Sequence, residues 1–259
     1  MIELTREGPV ARLTLRRAAK KNAMTTAMWQ MLLQSCEDLA QERDRNAAAA
    51  PRVLLVAGEG GAFCAGADIE ELARLVRDPS ALAANNAIVA QAQMALQRLP
   101  MPTLALIDGP CFGGGFGIAA ACDFRLATPG STFAVTPARL GLLYSLEDTQ
   151  RVLSLLGLAH TRRLLLRGER LDAATALAWG ALDEVIEPAD LQARGQRWAS
   201  ELAAQSPTSM RGIKATLARL ADPGSLGEAE VRAAYDAAFS GGDFAEGAAA
   251  FLAGRAPRF

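Results

Sequence analysis

Two glycine-rich turns hold the residues best placed to do chemistry. One is EGGAFCAGADIEEL, residues 59–72; the other lies inside PTLALIDGPCFGGGFGIAAACDFRL, residues 102–126. Gly113, Gly114 and Gly115 allow a backbone N–H to approach a ligand that no side chain obstructs. The segment Phe116 to Cys122 that follows is almost wholly apolar and reads as a buried helix. Its unpaired N–H groups and the positive end of its dipole would face that ligand, so an oxygen that gains negative charge is the natural guest.

Three uses of these turns compete. A dinucleotide site is one, because Gly115-Phe116-Gly117-Ile118-Ala119-Ala120 fits G-x-G-x-x-A after a strand. Residues 133–143, where a ribose-binding carboxylate should follow, contain none. The second is packing, since glycines let helices and strands come close. The third is a paired oxyanion hole with one N–H from each turn. Two similar turns after two buried strands favour convergence, because parallel sheets place ligands beyond the carboxyl ends of their strands.

The elements that must position these turns are legible in order. Residues 2–5 and 10–16 read as a hairpin around Gly8-Pro9, with Val10, Leu13 and Leu15 inward and Arg12 and Arg16 outward. A helix capped by Thr25 or Thr26 carries the stripe Met28, Leu32, Cys36, Leu39. RVLLVAG, residues 52–58, reads as a strand covered on both faces, and strand–helix–strand order implies a right-handed parallel crossover. Pro79 to Leu99 reads as a helix packed on several sides, DFRLAT and STFAV as strands, and 146–157 as a helix. From Thr161 the pattern is helical: Leu171 to Trp179, Pro188 to Ala204, Pro207 to Leu220 and Glu228 to Phe239, with an edge strand within 181–188. Ser206 and Pro207 suit N-cap and N1, and Ile213, Leu217 and Leu220 mark a predicted buried face. The expected fold class is α/β, with a core over 1–200 and a helical C-terminal lobe over 201–259.

Composition narrows the function. The 259 residues are 51% hydrophobic, enough for a large core, and the net charge of −1 offers no basic stripe for nucleic acid and no pull toward a membrane surface. No apolar run approaches the ~20 residues of a membrane helix. The N-terminus alternates like a strand and lacks the apolar core of a signal peptide. Cys36, Cys64, Cys111 and Cys122 show no CxxC pairing and read as reduced thiols of a cytoplasmic protein. With His160 the sole histidine, a zinc or iron site is not expected.

AFCAGADIEEL, IDGPCFGGGFGIAAACDFRLA and TQRVLSLLG, with KKNAMT near the start and FAEGAAAFLAGRAPRF at the end, resemble the crotonase superfamily, also called the enoyl-CoA hydratase/isomerase family. The resemblance implies repeated ββα units with a C-terminal helical lobe, homotrimers or dimers of trimers, and a role such as fatty acid metabolism. No cofactor is implied; coenzyme A arrives as the substrate's thioester. It assigns the oxyanion donors to Ala67 and Gly114. Lys20, Lys21, Asn22 and Ala23 would lie along the coenzyme A entrance, backbone groups around Ala65 would face the adenine, and Phe251 and Arg255 would approach the nucleotide. Arg255 is offset by one from the lysine usual in hydratases. Gly66, Asp68, Ile69, Gly113, Pro137, Leu140 and Ser145 complete the implied lining, with Asp68 also read as a turn-fixing helix cap.

The chain departs from the family where hydratases place two glutamates. One position is Gly117, and aligning on Gly141 makes the other Pro137. Ordinary hydration of a 2-enoyl-CoA is therefore not expected, and double-bond isomerisation is the leading reading. In the loop LLYSLEDTQR other branches place an acid or base; Glu147 is the candidate base here, against a helix-capping role for Glu147 and Asp148. Tyr144 is a hydrogen-bond donor or pocket wall, Asp123 structural, and His160 peripheral. Glu147→Gln is expected to cost about a hundredfold if the base reading holds. The alternatives are an atypical hydratase, a decarboxylase or thioester hydrolase, and a non-catalytic acyl-CoA-binding protein.

Overall fold

The computed structural model describes residues 1–46, 49–140, 142–221, 229, 233, 242–253 and 255–259. Strands β1 (Ile2–Glu7) and β2 (Val10–Leu15) form the expected antiparallel hairpin. Thr25 Oγ1 accepts from Met28 N at 3.3 Å and caps α1 (Thr26–Arg45), whose Met28, Leu32, Cys36 and Leu39 are buried. β3 (Val53–Gly58) then joins β2 in parallel. Its alternate residues enter different cores, Leu54 and Val56 on the α1 side and Val53, Leu55 and Ala57 on the other. Two covered faces explain the unbroken apolar run.

A repeating ββα unit follows from how the next strands divide between two sheets. β4 (Thr103–Ile107) enters the large sheet, β5 (Pro110–Phe112) the small one, and α4 (Gly114–Ala121) comes next. β6 (Phe124–Ala127), β7 (Thr132–Ala134) and α5 (Leu146–Leu166) repeat that order. β3 starts the same pattern: an isolated parallel bridge sets Cys64 beside Cys111, ahead of α2 (Ile69–Leu75) and α3 (Pro79–Gln97). β8 (Arg170–Asp172), α6 (Ala173–Ala178) and β9 (Glu184–Val185) complete the sheets, ordered β1-β2-β3-β4-β6-β9 and β5-β7-β8. α7 (Leu191–Ala203) covers the second face of the large sheet, and α8 (Pro207–Ala221) and α9 (Gly242–Leu252) form the helical C-terminal part. No helix among the described residues is long and apolar enough to cross a membrane.

Three expectations need correction. Ile213, Leu217 and Leu220 are 55%, 59% and 74% exposed: α8 is pinned to the core by Lys214, whose Nζ reaches Met101 O at 2.8 Å and Asp123 Oδ2 at 2.7 Å, and this leaves the apolar stripe outward. α3 does meet α1, α2 and α4, but the packing is close only near its C-terminal end, where Ala92, Gln93 and Leu96 are buried. The helix from residue 146 does end at Gly157 as expected, where φ 68° and ψ 169° are non-helical, and a second helical stretch follows directly, the two together making up α5. Leu171 and Asp172, read as the start of a helix, instead belong to strand β8, which pairs with β7, and the helix begins at Ala173. The predicted helix Glu228 to Phe239 lies outside the described residues, apart from Ala229 and Ala233. Ser206 does cap α8, accepting from Ser209 N at 3.1 Å.

Arg125 secures the back of α4. Its guanidinium donates to the carbonyls of Ala119 (3.3 Å), Cys122 (2.6 Å), Asp123 (3.1 Å) and Ala181 (2.9 Å). A cation at this end complements the dipole and leaves the positive end at Gly114. Arg125→Met should cost about 3 kcal/mol by stranding buried carbonyls, a fall in Tm of about 10 °C for a chain of this size. Thermal unfolding reads it directly, and an unchanged Tm would contradict the capping role.

Candidate active site at the two glycine turns

The first turn is held on three sides. Cys64 N donates to Pro110 O and Phe112 N donates to Cys64 O, both at 2.9 Å, which seats it on β5. Met24 N donates to Gly66 O at 2.7 Å and Asp68 N donates to Met24 O at 2.9 Å. That parallel bridge uses atoms of residues 66 and 68, so the N–H of Ala67 itself points away from Met24. Gly66 has φ +101°, and a Cβ there would lie 3.0 Å from Phe112 O, so glycine is required. Asp68 caps α2, accepting from Glu71 N at 3.0 Å, and pairs with Arg17 at 2.7 Å. The Glu71 N–H and then Arg17 hold its carboxyl below the usual range, which suits a fixed cap and not a base.

The second turn supplies the other donor. Gly113, at φ +49° and ψ −113°, gives its N–H to Ala134 O at 2.8 Å, so its donor is spent. Gly114 opens α4, and its N–H has no intrahelical partner. A Cβ built on Gly114 would lie 4.0 Å from Ala67 N and 3.0 Å from Trp29 Cζ2, so the two turns adjoin with the indole as a wall. Among the described residues neither the Ala67 nor the Gly114 N–H donates to a protein acceptor. Ala67 is exposed and Gly114 half-buried, which leaves both open to a ligand. Tyr144 Oη donates to Gly113 O at 3.1 Å, and burial pushes its phenol well above the ordinary value. Tyr144 thus spends its hydrogen on the backbone of the second turn, and a phenol raised in this way is poorly suited to act as a base.

The other predicted residues are placed unevenly. Lys20 pairs with Glu70 at 2.7 Å on the surface, and Lys21 O accepts from Ala65 N at 2.9 Å, so the 20–23 turn sits against the first glycine turn. Asn22 is not a lining residue: it is fully buried, and its amide accepts from Arg17 N and donates to Glu59 O and Ala62 O. Ala23 O accepts from Arg17, and Ile69 is 55% exposed beside Ala67. Pro137 stands half-buried in a 3-10 turn over 137–140. Arg255 pairs with Glu246 at 2.7 Å. The side chains of Leu140 and Phe251, and Gly141 as a whole, lie outside the described residues. Asp123 is structural, bound by Thr103 and Lys214, and His160 stacks on Trp179 with centroids 4.3 Å apart.

The loop carboxylates are where the sequence reading needs revision. Ser145, not Glu147, caps α5, accepting from Asp148 N at 3.0 Å. Glu147 is exposed and borders a cleft of about 610 Å3 with Cys122, Asp123, Arg125 and Gln150, to which none of the oxyanion-turn residues contributes. Its neighbour Asp148 turns inward and is 5% exposed. Arg151 Nη1 donates to Asp148 Oδ1 at 2.7 Å and to Gln93 Oε1 at 2.8 Å, and Arg151 Nε donates to Gln97 Oε1 at 2.7 Å. A Cβ on Gly117 would lie 2.9 Å from Asp148 Oδ1 and 2.5 Å from Gln93 Nε2. A side chain at residue 117 and the Asp148 carboxylate therefore compete for the same space. The sequence signal for this was the Asp148/Arg151 spacing of three, which sets both on one helix face.

Comparison with known proteins accords with this geometry. Residues 5–259 match the family model described as enoyl-CoA hydratase/isomerase. The chain is 30% identical over 261 residues to the Mycobacterium tuberculosis protein named "Probable enoyl-CoA hydratase echA6", covering 100% of this chain and 99% of that one. It is 30% identical over 208 residues to the "Enoyl-CoA isomerase/hydratase fer4" of Mycosarcoma maydis, with 79% of this chain and 75% of the relative covered. Among solved structures, an enoyl-CoA hydratase/carnithine racemase from Magnetospirillum magneticum aligns with TM-score 0.91 and 33% identity over 100% of this chain and 94% of its own.

Proposed function

From the premise that the chain belongs to the enoyl-CoA hydratase/isomerase family, we propose that it moves the double bond of an enoyl-CoA thioester through an enolate. The observation that carries this is the pair of adjoining, unspent N–H groups of Ala67 and Gly114. A thioester carbonyl placed between them gains two fixed donors as charge develops on its oxygen. Such donors need no reorganisation, and each is worth roughly 3–4 kcal/mol of barrier. The pantetheine and nucleotide would leave along the 20–23 turn.

Migration is preferred over hydration because neither Gly117 nor Pro137 supplies a carboxylate to activate water. The hydratase name of the Mycobacterium tuberculosis relative favours the second reading, water addition by another carboxylate, while that of the Mycosarcoma maydis relative carries both activities. Paired assays with 3-enoyl- and 2-enoyl-CoA separate them. The expected result is interconversion of the two with no accumulation of 3-hydroxyacyl-CoA. Rapid hydration would overturn the preference, and tight thioester binding without turnover would replace catalysis by carriage.

A further inference from the structure

We propose that Asp148 is the proton-carrying group of this site, standing in the space that a side chain on residue 117 would fill. This rests on the enolate reading above. Gly114 and Gly117 are three apart on α4, so their Cβ directions share one helix face about 5–6 Å apart. A Cβ on the first would lie 3.0 Å from Trp29 Cζ2 and 4.0 Å from Ala67 N, and one on the second 2.5 Å from Gln93 Nε2 and 2.9 Å from Asp148 Oδ1. The carboxylate thus stands one helical turn from the oxyanion donors, a span covered by the α and γ carbons of a thioester whose oxygen they hold.

A second observation at the same spot is an unpartnered buried donor. Gln93 Nε2 is fully buried, has no partner among the described residues, and would lie 2.5 Å from a Cβ on Gly117. An orphaned buried donor costs about 1–3 kcal/mol, a cost removed when a ligand brings an acceptor. Arg151, Gln93 and Gln97 are positioning residues that tie α5 to α3 and hold the Asp148 carboxyl in place.

The electrostatics suit a base. Burial lifts the Asp148 carboxyl above the ordinary range against the pull of Arg151, with Glu147 adding to the rise. The Ser145 hydroxyl hydrogen-bonds it and lowers it, the Tyr144 phenol and the neutral Gln93 amide lie beside it, and from α4 it meets Gly117.

In the step proposed, the Asp148 carboxylate takes a proton from C2 of a 3-enoyl thioester. The C–H pair forms the C1–C2 double bond, and the carbonyl π pair moves onto the oxygen between Ala67 and Gly114. The oxygen pair then returns to re-form the carbonyl, the C1–C2 pair shifts to C2–C3, and the old C3–C4 pair takes the proton from Asp148 at C4. One proton has moved from C2 to C4 and the carboxylate is regenerated, with no water or other reactant.

The test is deuterium exchange at C2 of a saturated acyl-CoA in D2O, read by NMR, because it needs only the base and the oxyanion donors. Wild type should exchange; Asp148→Asn should lose at least about a hundredfold while still binding the thioester; Asp148→Glu should restore part of the rate. Glu147→Gln should stay close to wild type. Exchange at full rate in Asp148→Asn, or a loss that falls on Glu147→Gln, overturns the assignment. Should Asp148→Asn fail to fold, the wild-type pH profile decides: exchange must decline, as pH falls, already above the ~4 of an ordinary aspartate, and a flat profile down to that range overturns Asp148. Wild-type binding without any exchange overturns the enolate reading and Asp148 with it, whereas exchange surviving in Asp148→Asn overturns Asp148 alone.

Discussion

Gly114→Val should abolish turnover while the fold survives. Gly114 lies within α4 with a helical backbone, so a β-branched residue meets no left-handed penalty there. Its Cβ would sit 3.0 Å from Cζ2 and 3.5 Å from Cη2 of the buried Trp29, so the ring must give by a few tenths of an ångström. The same Cβ is 4.0 Å from Ala67 N, so the two γ-methyls spread over the gap between the donors. Loss of a single oxyanion donor costs about 10²–10³ in rate. Blocking the approach to both should reduce kcat/KM at least about a thousandfold, with a stability change within about 2 kcal/mol. Enoyl-CoA turnover and thermal unfolding, measured on the same preparation, check both halves. Normal turnover in this variant would remove Ala67 and Gly114 from the mechanism.

What the sequence made legible was local. The hairpin, the α1 stripe and the covered strand β3 follow from periodicity, and the two glycine turns from residue type and their place after buried strands. The failures share a cause: each depended on partners distant along the chain. Periodicity reveals that α8 has an apolar stripe at Ile213, Leu217 and Leu220, but not whether anything covers it; Lys214, reaching Met101 and Asp123, sets the orientation. Asn22 looks like part of a basic surface turn until its amide is seen bridging Glu59 and Ala62.

Glu147 and Asp148 illustrate the same point at the site. Both lie in the first turn of α5 and are equivalent by composition. Which one turns inward depends on the rotation of α5 against α3, fixed by Arg151 reaching Gln93 and Gln97 more than fifty residues earlier. The absence of a side chain at Gly117 leaves room for Gln93 and Asp148, and a glycine's role as vacated space is visible only once its neighbours are placed. The departure at Gly117 was readable as a lost carboxylate; its replacement was not.

Gly115→Ala should have the opposite profile to Gly114→Val, loss of the fold before any question of chemistry. A Cβ on Gly115 would lie 2.5 Å from Cys64 O and 2.7 Å from Cys64 Cβ. Cys64 O is the acceptor for Phe112 N, the bond that seats the first turn on β5, so the atom in the way is pinned backbone and cannot rotate aside. Relief requires the turns to part, which breaks the Cys64–Cys111 bridge and opens a core that holds Phe63, Phe116 and Cys111 at 2% exposure or less. Clashes of this kind belong to the exceptional class of single substitutions, above about 4 kcal/mol, and should lower Tm by about 10 °C or more. A native-like Tm for Gly115→Ala would mean that the turns are not in this contact, and the spacing of the Ala67 and Gly114 donors, which depends on it, would have to be drawn again. Adjacent glycines thus serve separate ends: residue 115 lets the turns touch, and residue 114 keeps the space they create open.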